Sequence, residues 1–413
     1  MIRVILAGTI TLALTMQLAA GQPTAAQPEA AAPAAAAAAP EDISALLAPI
    51  LKKHDLPAMA IMVLDGNTVI ARGVSGVRKR GAPDLATLDD KWHIGSCGKA
   101  ITATVMATLV DDGTLAWHTS PAMVLRDDIE KMHAAWGKAT LEELLSHRAG
   151  APAALDLDNL PGSPTQQRSK VAQYVLTRPP TGYPGRQYIY SNAGYAIAGV
   201  MAEKLTGKAW EDLARERVLT PLGMSSAGFG APGSAVEGEG EAIDQPRGHI
   251  LAGRPLEPGA GADNPPAIAP AGTMHMTLDD WGRFVGFHLT GRARDDAPGL
   301  TLSADSLRTL HTSMGTMDAK SEDGYAMGWI VTQRPWAKPK KTAKGQNDDA
   351  MPAERPDGAL THAGSNTMWF CVAWLAPQKQ MAVLVVCNQG GPKATKATDE
   401  AAGLAIRRFI ANR

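Results

Sequence analysis

The chain of 413 residues has few aromatic side chains (5%), only three cysteines and almost no net charge (formally -1). Three cysteines cannot build a disulfide framework, and no Cys/His cluster has the spacing of a zinc site. Basic residues number 40 and acidic ones 41. No cationic excess is left to neutralise a phosphate backbone, so nucleic acid is not an expected partner. No H-E-x-x-H, P-loop or G-x-G-x-x-G stands in a supporting context, so no metal or other cofactor is expected. What the chain does have is 45% hydrophobic residues against 20% charged ones. That balance buries a large core and excludes wholesale disorder. With 41 glycines and 29 prolines, long loops are expected around the core.

Its one long apolar run lies at the start. Arg3 precedes Val4 to about Ala20, and small residues and Gln22-Pro23 follow. Charge, apolar stretch and small residues in that order predict an export signal over residues 1–22. Thr9, Thr11, Thr15 and Gln17 interrupt the run too often for a spanning anchor. No cysteine lies near the expected cut, which disfavours a lipid anchor. Residues 23–41 are mostly Ala and Pro and read as a linker with nothing to pack. The expectation is an exported protein, periplasmic or secreted, with no stable membrane anchor after cleavage and a folded domain over residues 42–413.

Asp42-Ile43-Ser44 predicts a helix start, with Ile43, Leu46, Leu47, Ile50 and Leu51 on one face. Two strand-like runs, Ala58–Leu64 and Thr68–Val74, flank the turn Asp65-Gly66-Asn67. Helices are predicted over Ser96–Asp112, Leu141–Ser146 and Asn192–Leu205, with Gly113 and Gly207 as stops. The Gly-, Glu- and Pro-rich stretch Met224–Ala267 reads as a surface excursion, and Pro335–Gly358 as a polar insert. A late hairpin pairs Met368–Leu375 with Met381–Asn388, and a helix over about Asp399–Ala411 closes the chain. Strands at both ends with helices between them predict an α+β fold. In it, an antiparallel sheet is flanked by terminal helices, with a mostly helical lobe inserted and a site in the cleft between them.

Three short motifs carry chemistry. Ser96-Cys97-Gly98-Lys99 opens a helix, and residues three apart share a helix face, so Lys99 lies beside the Ser96 hydroxyl. A serine needs a neighbouring base, and a buried lysine with a lowered pKa is one. Tyr190-Ser191-Asn192 enters the next long helix; a phenol relays a proton and an amide side chain both donates and accepts. His362-Ala363-Gly364-Ser365 enters a strand, where Gly364 leaves the edge open to substrate and the Ser365 N–H points at a developing oxyanion. Singly, each has a structural explanation: S-x-x-K recurs by chance, Asn192 suits a helix cap, and a lone histidine is usually a packing residue.

Taken in order and in context, the motifs make the chain resemble the serine β-lactamase and penicillin-binding protein family. The resemblance is to the branch with class C β-lactamases, D-alanyl-D-alanine carboxypeptidases and related esterases. Further segments extend it collinearly: Leu109–Leu115, Thr140–Gly150, Tyr190–Tyr195, Pro221–Met224, Pro270–Gly272 and Tyr325–Trp329. The resemblance implies an acyl-enzyme on Ser96, with Lys99 and Tyr190 sharing proton transfer and the Ser96 and Ser365 amides forming the oxyanion hole. Asn192 is implied to hold the substrate's amide side, and His362 to face its carboxylate or leaving group. The implied substrate is a small molecule or a peptidoglycan-like peptide of D-Ala-D-Ala type, with β-lactams as slow acylating ligands. The alternatives are a small-ester carboxylesterase and a non-catalytic, penicillin-recognising binding protein.

Two positions depart from the class C pattern. His362-Ala363-Gly364 stands where Lys-Thr-Gly is usual, and a neutral imidazole holds a carboxylate less well than an ammonium. Met368 stands where many relatives have glycine, which predicts a narrowed cleft. Cys97 is expected to be a packed, inert thiol. Cys371 and Cys387 are candidates to face each other across the late hairpin, as a disulfide or as free thiols.

Overall fold

Two apolar runs without polar alternation, Ala58–Asp65 and Met381–Cys387, set the architecture. The computed structural model describes residues 39–157, 159–235, 242–339 and 358–413, and residues Pro40–Arg413 form one unit. The expected export signal and most of the expected linker lie outside the described residues. The two runs pair antiparallel at the centre of an eight-stranded sheet. Alternate residues enter different cores. Ala58, Ala60, Met62 and Leu64 pack with Ala382, Leu384 and Val386 on one face; Met59, Ile61 and Val63 pack with Met381, Val383, Val385 and Cys387 on the other. A strand covered on both faces has no need of a polar side, which is why the runs read as continuous.

Across the sheet the strands run Glu41–Asp42, Thr68–Gly76, Ala58–Asp65, Met381–Cys387, Phe370–Ala376, Gly358–Ser365, Ile330–Gln333 and Gly324–Tyr325. Every pair is antiparallel except the first, where Glu41 and Asp42 run parallel to Ala71 and Arg72. Glu41 therefore belongs to the folded unit. The helix Leu47–His54 covers one face beside the C-terminal helix. That last helix runs Pro392–Ala405 and continues as a wider turn over Ile406–Ile410. It starts seven residues before the expected Asp399, because its buried stripe there is Ala394, Ala397 and Thr398. Alanines pack closely on a sheet yet give little hydrophobic periodicity to read.

The helix Leu278–Thr290 and the inserted lobe cover the other face. The lobe is built on Leu141–Leu145, Pro164–Leu176 and Asn192–Thr206. Arg168 is fully buried there, with Nη2 2.6 Å from Glu203 Oε1 and 2.9 Å from Glu211 Oε2. Met224–Ala267 is not the expected surface excursion. Gly228–Phe229 joins a small sheet with Lys91–His93 and Met274–Thr277, and Ile243, Arg247, His249 and Ala262 are buried. Arg247 is held by Glu257 and Asp244, so a polar-looking segment satisfies its own charge inside the fold.

Candidate active site

The serine turn is fixed by contacts that only glycine permits. Gly95–Cys97 form a 3-10 turn ahead of the helix Gly98–Asp111, in which Gly98–Leu109 are buried. Gly95 has φ +47, and a Cβ there would lie 2.3 Å from Ser365 N. From the other side, a Cβ on Gly364 would lie 2.0 Å from Ile94 O. The edge of the Gly358–Ser365 strand therefore lies flush against the turn, bringing the Ser365 amide to the backbone of Gly95-Ser96. Gly364 serves this backbone contact, a different use from the open substrate edge expected of it. The turn is braced from below: Gly95 N donates to His93 Nδ1 at 3.0 Å, and His93 Nε2 lies 2.6 Å from Asp263 Oδ1. With Nδ1 accepting, the His93 proton sits on Nε2, the ring nitrogen nearest Asp263.

Lys99 joins three separate segments of the chain. Its Nζ donates to Ser96 Oγ at 3.0 Å, to Asn192 Oδ1 at 2.9 Å and to the Ala271 carbonyl at 2.8 Å. It is fully buried, and that desolvation pushes its pKa down to about 7. A lysine in that range is a usable base near neutrality.

Tyr190 stands across from it, its ring centre 4.8 Å from Lys99 Nζ and its phenol on the side of Ser96. Burial pushes the Tyr190 pKa up, so the phenol keeps its proton. Asn192 sits at the first position of its helix, while Ser191 makes the cap by accepting from Gly194 N. The Asn192 side chain is thereby left to Lys99 instead of to its own backbone.

His362 is buried and turned towards Tyr325, whose hydroxyl lies 2.9 Å from Nε2; its Nδ1 lies 2.7 Å from the Ala363 carbonyl. A proton on Nδ1 and an acceptor at Nε2 satisfy both contacts. Its ring centre is 6.4 Å from that of Tyr190. Ser365 Oγ closes a turn, donating to Trp369 O at 2.6 Å and accepting from Thr367 N at 3.0 Å. Its backbone amide, not its hydroxyl, faces the serine turn.

Four residues of the site escaped the sequence motifs. His147 stacks on Tyr190 with ring centres 4.2 Å apart, and its Nδ1 accepts from Ser191 N. Burial and the nearby Lys99 push its pKa well down, so it packs as a neutral ring. Tyr325 and the Ala271 carbonyl are the others within reach, with Asp263 behind His93. His147, Ala271 and Tyr325 lie inside segments that carried the family resemblance; Asp263 had no signal of its own.

Several expectations about the surroundings change. Cys371 and Cys387 do not face each other: Cys371 pairs with Val386 and Cys387 with Phe370, so their side chains enter opposite cores. Met368 is buried beside Gly248, where a Cβ would lie 2.9 Å from that of Met368, so it fills core space rather than narrowing a cleft. Trp92, Trp329 and Trp369 are buried, the first and last in an edge-to-face pair 6.1 Å apart.

Comparison with known proteins follows the same line. A family model described as Beta-lactamase matches residues 43–407. The chain is 29% identical over 256 residues to unguisins hydrolase ungD' of Aspergillus campestris, an alignment that covers 59% of this chain but only 46% of that protein. It is 29% identical over 287 residues to penicillin-binding protein 4 of Amycolatopsis lactamdurans, covering 68% and 72% of the two chains. With the Escherichia coli D-alanyl-D-alanine-carboxypeptidase/endopeptidase AmpH it shares 23% identity over 353 residues, covering 80% and 79%. The octameric penicillin-binding protein homologue of Pyrococcus abyssi has the same fold, with TM-score 0.67 at 21% identity over 88% of this chain and 76% of that one.

Proposed function

The chain belongs to the Beta-lactamase family, a serine hydrolase family related to D-alanyl-D-alanine carboxypeptidases, and on that premise we propose that it hydrolyses an amide or ester through an acyl-enzyme on Ser96. The observation that carries the reading is the buried Lys99 Nζ, 3.0 Å from Ser96 Oγ with its pKa lowered to about 7. In its neutral form Lys99 takes the Ser96 proton as the hydroxyl attacks the carbonyl. Tyr190 stays protonated, which suits it to hand a proton to the leaving group. The Ser96 and Ser365 amides would receive the developing oxyanion, a contact worth about 2.7–4 kcal/mol per donor in other hydrolases. Lys99 then passes the proton it took from Ser96 to the Tyr190 phenolate. Water enters, and the neutral lysine takes a proton from it as it attacks the acyl carbonyl. That proton passes to Ser96 Oγ as the acyl group leaves as the acid.

The substrate we favour is a D-Ala-D-Ala-type peptide, as the name of the AmpH relative suggests. One observation favours a second reading. His362 has both ring nitrogens engaged within the protein and stands where an ammonium would hold a substrate carboxylate. A small ester has no carboxylate to hold. Release of D-alanine from a D-Ala-D-Ala peptide, compared with release of p-nitrophenol from an acyl ester, separates the two. Either activity must vanish in Ser96→Ala with the Tm unchanged; activity retained in that variant overturns the serine assignment.

The expected location in the periplasm or medium remains part of this proposal. Among the described residues, no helix is long and apolar enough to cross a membrane.

A further inference from the structure

Beside the nucleophile lies a pair of thiols for which the acyl-enzyme chemistry has no use. Cys97 Sγ and Cys371 Sγ are 3.5 Å apart, and both side chains are buried. Cys97 follows Ser96 in the turn; Cys371 pairs in register with Gly364, two strands meeting under that turn. The glycine leaves the space open, since its Cβ would lie 2.9 Å from Cys371 Sγ and 3.0 Å from Cys97 N. As thiols the two sulfurs have only weak partners, the carbonyls of His362 at 3.4 Å and Ile94 at 3.1 Å.

We propose that Cys97 and Cys371 are a covalent cross-linking site: a disulfide that ties the turn carrying Ser96 to the strand beside the one carrying Ser365. The oxidant class is a small-molecule disulfide. A thiolate of the pair attacks oxidised glutathione, forming a mixed disulfide and releasing one glutathione thiolate. The second thiolate then attacks the mixed disulfide and releases the other glutathione. Two protein thiols lose two protons and two electrons, and one glutathione disulfide becomes two thiols. Both cysteines are closed off in the finished fold, so the exchange belongs to the folding chain or to a transiently opened turn. Cys387 takes no part, because it faces the other core. The cross-link closes a long loop and holds fixed the separation of the two oxyanion donors.

The test uses the full chain, equilibrated with excess oxidised glutathione in denaturant below the unfolding transition. It is then quenched with acid, fully denatured, alkylated with iodoacetamide and mapped by mass. The expected product carries one alkylated cysteine, Cys387, and one peptide pair joined through Cys97 and Cys371. Cys387→Ser must give the same joined pair with no alkylated cysteine. Reduction with dithiothreitol should lower the Tm by several degrees in the wild type but not in Cys371→Ser. Three alkylated cysteines, glutathione left on Cys97 or Cys371, a cross-link through Cys387, or a Tm indifferent to reduction each overturn the proposal.

Discussion

At the residue scale, the chemistry proposed for Ser96 depends on Lys99, a lysine whose pKa is far below the ordinary range. Burial lowers it to about 7, so the base form is populated above that pH and lost below it. The expected profile of kcat/KM against pH is a plateau on the alkaline side, falling about tenfold per pH unit below about 7. Steady-state kinetics with one substrate from pH 5 to 9 checks this; a profile flat through pH 7 contradicts the lysine's role. Gly364 gives a second prediction. Alanine there meets Ile94 O, and the strand can yield only by moving Ser365 N away from Ser96. Gly364→Ala should lose about 1–3 kcal/mol of stability or more. It should also lose on the order of a hundredfold in kcat/KM, the two read by thermal melting and by ester turnover. Ser96, Lys99, Tyr190 and Asn192 lie together as their motifs suggest: three-residue spacing sets Lys99 beside Ser96, and Tyr190 and Asn192 flank the Ser191 cap at the start of their helix. The partners of His362 and of His93 were not legible in the sequence, since Tyr325 comes to His362 from a different strand, and Asp263 comes to His93 from a loop with no periodicity to read.

At the element scale two buried polar groups hold the lobe and the helices behind the site. Arg168 joins the helices Pro164–Leu176 and Asn192–Thr206 and also donates to the Pro266 carbonyl, four residues before the start of the Pro270–Gly272 segment that supplies a partner to Lys99. Arg168→Met leaves Glu203 buried without its cation, which should cost about 3–5 kcal/mol, read as a large fall in the denaturant midpoint. An unchanged midpoint would show that the pair is dispensable. Behind the serine helix, His288 Nδ1 lies 2.8 Å from His311 Nε2 and His288 Nε2 lies 3.1 Å from Thr104 Oγ1. Burial pushes His311 down to about 4, and His249 and His275 likewise to about 4, from an ordinary 6.5. As pH falls below 6.5 the unfolded chain takes up protons that the folded chain refuses, so stability present above 6.5 is lost progressively down to about 4. Melting curves between pH 7.5 and 4.5 should show the Tm dropping steadily; a constant Tm across that window contradicts the neutral buried state of these rings. None of this was legible from the sequence, where the ten histidines look scattered and arginine reads as surface.

At the scale of the whole molecule the fold class followed from where the strands lie in the chain. Runs near both ends and helices between them leave one sheet with an inserted lobe, and the eight-stranded order bears this out. The segment Met224–Ala267 was misjudged because Gly, Pro and Glu normally mark exposure. Its buried Arg247 is satisfied by Asp244 and Glu257, and its buried His249 by the backbone of Arg80 and Asn388, tertiary pairings that composition does not record. The late hairpin was placed, but its register fixes which face each cysteine enters, and a shift of one residue reverses that. The two faces of the sheet then divide the work. One is closed by the terminal helices; the other supports the serine helix, and its Gly358–Ser365 edge brings up the second amide. This arrangement is expected to become acylated on one hydroxyl, that of Ser96. The most direct measurement is the intact mass of the acid-quenched chain, wild type and Ser96→Ala, after mixing with benzylpenicillin and with an activated p-nitrophenyl ester. The account predicts one acyl group on the wild type from at least one reagent, located on the Ser96 peptide and absent from the variant. Equal labelling of both proteins, or no labelling together with turnover that survives in Ser96→Ala, would contradict it.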